Sequence, residues 1–176
     1  QKGFKMSNYS AFLEVAPPKM EVDIYLGAKG EGSSWSCAHG VSRWKEHCGD
    51  STGGLPGWNQ RWRAPLRQAF DDLNERLAAI FEGEGRKYFR DPWQARNAYI
   101  QVILDRSPEV MGNFFSRQGV PGLRESDWVP ALKLLEMQRH VLLMYTSCGW
   151  FFADVAGLET QQVIKYAARA LQLGQD

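Results

Sequence analysis

Trp62, Leu66, Phe70, Leu73, Leu77 and Phe81 recur at steps of three and four residues, the spacing that lines apolar side chains along one face of an α-helix. A half-buried strand would alternate with period two, so this run commits the middle of the chain to a helix with a stripe to bury. The pattern begins near Trp58, with Asn59 as a candidate N-cap and Gly83 and Gly85 at its end. Pro65 marks either the first turn or a kink. Asp91-Pro92 and Ser107-Pro108 each set a capping side chain before a proline suited to the first helical position. They predict helices near 92–104 and 108–117. After a loop from Gly119 to Gly122, Ser126 or Asp127 opens a long helix to about Tyr145, and Glu159 to Leu173 forms the last. The long helix is apolar on most of its surface, which puts it at the centre of a bundle.

Residues before 58 have another character. Asn8 to Leu13 can form a short helix, stopped by Pro17-Pro18. Val22-Asp23-Ile24-Tyr25-Leu26 alternates with period two and reads as one short strand. A lone strand needs a sheet elsewhere. The expected architecture is therefore mainly α: a helical bundle over 58–176, joined to a junction segment over 1–57 that carries a short β-containing stub. The start at Gln1 rather than Met suggests an excised piece of something longer.

Composition narrows the function classes. With 21 basic and 20 acidic residues, the chain lacks the basic footprint of a nucleic-acid binder. No apolar run approaches the roughly 20 residues needed to cross a bilayer. Three cysteines cannot all pair, which fits a reducing cytoplasm better than a disulfide-stapled exterior. Seven tryptophans favour a carbohydrate partner, because indole is a flat platform for the apolar face of a sugar.

The most unusual stretch runs from Gly32 to Gly49, with two tryptophans, two histidines, two cysteines and an arginine between glycine-rich loops. Loops of this kind on a rigid scaffold are favoured places for binding. Ser33-Ser34-Trp35, with Trp44 nine residues on, resembles the fifth conserved region of glycoside hydrolase family 57. The closer likeness is to a bacterial subgroup with a C-terminal domain of unknown function, whose hallmark is similar to Trp35-Ser36-Cys37-Ala38-His39-Gly40 followed by Arg43-Trp44. A second block, Leu142 to Phe152 followed by Tyr166-Ala167-Ala168-Arg169, resembles that family's helical-domain signature. With Trp58 to Arg67, the likeness touches most of the chain. Gly149 stands where many members carry an acidic residue.

The resemblance implies a helical accessory domain lining one wall of the cleft of an enzyme on α-glucan-like carbohydrate. Its partners would be that carbohydrate and the chain's own upstream catalytic barrel. The implied chemistry is retaining, with a glutamate nucleophile and an aspartate acid/base. Both belong to the barrel, and the family's His-x-His motif is also absent, so no catalytic residue is expected here. The alternative is a non-catalytic structural or protein-interaction helical domain.

By the same resemblance Trp35, Trp44 and Trp150 face the junction, where each could stack on a glycosyl ring; ordinary packing is the competing reading. His39 and Arg43, four apart, would share a helix face and reach sugar hydroxyls or a carboxylate. Cys37, His39, His47 and Cys48 are zinc-ligand types, but their spacing matches no standard finger, and adjacent His47-Cys48 is awkward for one tetrahedral site. No metal or other cofactor is therefore expected. Glu21, Asp23, Glu46 and Asp50 read as solvated surface acids. Glu136, Arg139 and His140 interrupt the long helix, and an internal Glu–Arg pair is the default expectation.

Overall fold

A computed structural model describes residues 3, 5–50 and 52–175. The helices are α1 (Tyr9–Val15), α2 (Arg63–Gly85), α3 (Pro92–Ala98), α4 (Ile100–Leu104), α5 (Pro108–Gln118), α6 (Trp128–Leu143), α7 (Cys148–Phe151) and α8 (Leu158–Gln175). The mainly α expectation holds. Val22 to Leu26, by contrast, carry no regular structure and are exposed. No described residue offers a neighbouring strand, so the ladder bonds that would fix a strand have no partner.

Caps account for several boundaries. Asn8, Asp91 and Ser107 each accept a backbone N–H three residues on, from Ala11, Gln94 and Val110. Asn59 does not cap α2; its side chain accepts from the Arg61 N–H, and the helix starts at Arg63. Pro65 thus lies in the first turn, where an N–H has no helical partner to lose. The helix expected near 92–104 breaks at Tyr99, whose N–H reaches back only three residues to the Arg96 carbonyl.

The body is built on α2, α6 and α8, which pack on one another. α2 contributes Phe70, Leu77 and Phe81; α8 contributes Val163, Ala167, Ala170 and Leu173 from one stripe. α6 buries Ala131, Leu134, Leu135, Met137, Gln138 and Val141, as its central position requires. Gln138 satisfies its amide on the Leu77 carbonyl at 3.3 Å. Phe89, Phe114, Phe115 and Trp128 close the far end as an aromatic cluster, with Phe115 and Trp128 stacked at 4.6 Å.

Glu136 accepts from Tyr99 Oη and Arg106 Nη2 at 2.7 Å and from Arg139 Nη1 at 3.1 Å. Burial alone would raise its carboxyl, but these donors outweigh burial and hold it below the ordinary value. The internal Glu136–Arg139 pair is present. His140 is spent locally, its Nδ1 at 2.8 Å from the Glu136 carbonyl oxygen.

Candidate functional site

The described residues of 27–57 contain no α-helix; they are shaped by turns and one 3₁₀ turn, Ser42–Trp44. Gly40 and Gly49 have φ of 69° and 87°, left-handed values that side-chain-bearing residues avoid. They reverse the chain after His39 and again after Cys48. As a result Cys37, His39, Cys48 and Asp50 converge, with one ligand atom from each lying within 4.8 Å of all the others. His39 Nδ1 is 3.4 Å from Asp50 Oδ2 and 3.8 Å from Cys37 Sγ.

Two arginines back this cluster from inside the protein. Arg43 is 4% exposed, with Nη2 3.7 Å from Asp50 Oδ2 and its guanidinium 4.5 Å above the Phe151 ring. Arg63, in the first turn of α2, is wholly buried; Nη1 donates to Cys48 Sγ at 3.9 Å, and Nη2 donates to the Phe151 and Phe152 carbonyls at 2.8 and 3.1 Å. The Nε atoms of both arginines have no hydrogen-bond partner among the described residues. Burial, then the nearby Asp50 carboxylate, pushes the Cys37 thiol up. The Cys37 thiol and His39 in turn hold Asp50 down.

The expectation of no metal rested on a spacing that matches no standard finger and on His47 and Cys48 having to share one centre. In the structure His47 turns away, its Nδ1 2.8 Å from Gln60 Oε1, and Asp50 takes the fourth place. Two thiols, an imidazole and a carboxylate are a donor set that can hold a divalent cation. Asp50 was missed because an isolated aspartate reads as surface solvation. The available signal was the repeated spacing, Cys37-x-His39 and Cys48-x-Asp50.

The residues expected to meet sugar separate into four groups. Trp35 is 99% exposed, on a turn pinned by Ser34 Oγ, which accepts the Ser36 N–H at 3.1 Å. Its sequence neighbours Ser33 and Ser34, with Tyr25, His39 and Val41, form part of the lining of a cleft of about 440 Å³ to which Trp35 itself does not contribute. Trp44 is half-buried against Phe151, with ring centroids 6.3 Å apart. His39 and Arg43 both approach Asp50, through a turn rather than along a shared helix face. Trp150 is a correction: it is wholly buried, stacked on Trp62 and edge-on to Phe70, with Nε1 donating to the Met144 carbonyl at 3.3 Å. It has no face left for a sugar ring.

Gly149, next to it, has no room for a side chain. A Cβ there would sit 2.3 Å from Val163 Cγ1, so only glycine lets α7 lie this close to α8. The Gly149 carbonyl accepts from Thr160 Oγ1 at 2.8 Å across the same contact.

The family model of a domain of unknown function, DUF3536, matches residues 58–176. The match covers the helical body and begins after the Cys/His/Asp cluster. No curated protein and no solved structure matches the chain.

Proposed function

The chain belongs to the DUF3536 family of domains of unknown function, and from that premise we propose that it is the helical accessory domain of a family 57-type glycoside hydrolase or glucanotransferase. It stands beside the catalytic barrel and lines one wall of the cleft that takes α-glucan-like carbohydrate. The observation that carries this reading is Trp35, an indole 99% exposed on a turn pinned at its base. An indole held this way meets the apolar C–H face of a sugar ring. Ser33, Ser34 and His39, lining the adjacent cleft, are placed to bond hydroxyls. The exposed Val22, Ile24, Tyr25 and Leu26 supply an apolar strip for the barrel to cover. A cytoplasmic setting suits the three free thiols.

The second reading, a purely structural domain, draws support from the burial of Trp150. Titration of the chain with maltoheptaose, followed calorimetrically, separates the two. Trp35→Ala should weaken binding about 3- to 10-fold, the range of one aromatic contact. No measurable binding by the wild type would leave only the structural reading, and equal binding by both would remove Trp35 as the residue that carries it.

A further inference from the structure

We propose that Cys37, His39, Cys48 and Asp50 are the four ligands of a structural zinc ion that closes residues 37–50 on themselves beside the first turn of α2. The inference shares His39 with the proposed carbohydrate contacts but does not rest on them; either can fail without the other.

Donor chemistry comes first. Two sulfurs and an imidazole select a soft or borderline divalent cation, whereas magnesium and calcium take oxygen ligands. Bonds of about 2.0–2.3 Å in a tetrahedron put neighbouring donors about 3.3–3.8 Å apart. The His39–Asp50 and His39–Cys37 separations, 3.4 and 3.8 Å, already lie at those values. With every pair of donor atoms inside 4.8 Å, closure onto one ion needs only small side-chain movements.

The backbone is shaped for the same end. Each ligand pair brackets a single residue, Ala38 or Gly49, and the positive φ of Gly49 turns Asp50 back toward the first pair. His47 cannot substitute, because Gln60 holds its ring.

The outer partners fit a thiolate site. Metal-bound sulfur keeps negative charge and accepts an N–H better than a thiol does, and Arg63 Nη1 already points at Cys48 Sγ. Arg43 does the same for the Asp50 carboxylate. One Zn²⁺ entering displaces both thiol protons to solvent, so the charge beside the two buried arginines does not change. Four protein donors leave no position for water, which makes the ion a staple rather than a Lewis acid. The described residues of 27–57 form no α-helix, and a metal supplies the constraint that such a segment otherwise lacks.

Metal analysis of the whole chain, purified from zinc-supplemented cells, should return one zinc per molecule. Cobalt exchanged into wild type should show a sulfur-to-cobalt charge-transfer band with the intense visible bands of tetrahedral coordination. Cys48→Ser should halve the charge-transfer intensity and weaken zinc by more than the roughly 100-fold upper range for losing an outer partner. Asp50→Cys should raise that intensity and tighten zinc, while His47→Ala should alter neither. Substoichiometric zinc, a wild-type cobalt spectrum without the sulfur band, or a Cys37–Cys48 disulfide in protein from reducing cells would each overturn the site. The wild-type measurements decide the matter even if a variant fails to fold.

Discussion

The helical body and the segment before it are ordered by different physics. From α2 onward, apolar stripes on α2, α6 and α8 close over a shared core in which Phe81, Val102, Met137 and Trp150 are essentially out of solvent. Among the described residues before 27 almost nothing is buried; α1 hides none of its seven residues, and Val22 and Ile24 are mostly in water. Between them, residues 33–50 have no core of their own and rely on glycine turns, two interior arginines and the cluster of four donors. Hydrophobic stripes make a fold that tolerates many sequences, whereas the junction depends on particular atoms. The family match follows the same division, covering the body alone.

Tryptophan substitution is the sharpest way to break this contrast. Trp150→Ala should lower stability by about 3–5 kcal/mol, the cost of emptying a buried aromatic site. Trp35→Ala should stay within about 0.5 kcal/mol, as exposed positions do. Equal shifts in the urea midpoint for both variants would erase the distinction between body and junction. Gly149→Ala comes next: forcing a methyl against Val163 should cost about 1–3 kcal/mol, and Val163→Ala in the same chain should recover part of it. No recovery would mean that α7 does not rest on α8 as described.

The smallest effect is electrostatic and belongs to the body. Because the folded state holds Glu136 below its ordinary value near 4.5, the unfolded chain takes up that proton more readily. The stability it contributes is fully present above the unfolded value and drains as pH falls through the folded one. Urea midpoints measured from neutral to acid pH should therefore fall less steeply in Glu136→Gln than in wild type. Parallel curves would show that Tyr99, Arg106 and Arg139 do not favour the charged form.

Much of the body could be read from one sequence because its causes are local. Asp91-Pro92 and Ser107-Pro108 started the helices they were expected to start, since a cap and its acceptor lie three residues apart. The strand expected over Val22 to Leu26 failed for the opposite reason: its period is local, but the ladder that would realise it is not. Trp150 shows the same limit. Three adjacent aromatics cannot declare which of them turns inward, and the answer lies with Trp62 and Phe70, some 80 residues earlier. The donor cluster was half legible. Cys37, His39 and Cys48 were visible as ligand types, but Asp50 joins them through a glycine turn, and Arg63 reaches them from a helix read only for its apolar face.

Arg63 also bears on the order of assembly. It ties Cys48 to the Phe151 and Phe152 carbonyls, and its neighbour Trp62 donates to the Ala153 carbonyl. These bonds close loops of 88 to 91 residues along the chain. Closures that long carry an entropic cost that local helix formation does not. By that measure the Arg63–Cys48 bond, across 15 residues, closes more cheaply than the bonds to the Phe151 and Phe152 carbonyls, across 88 and 89, so the guanidinium can meet its thiol without waiting for α7 to dock.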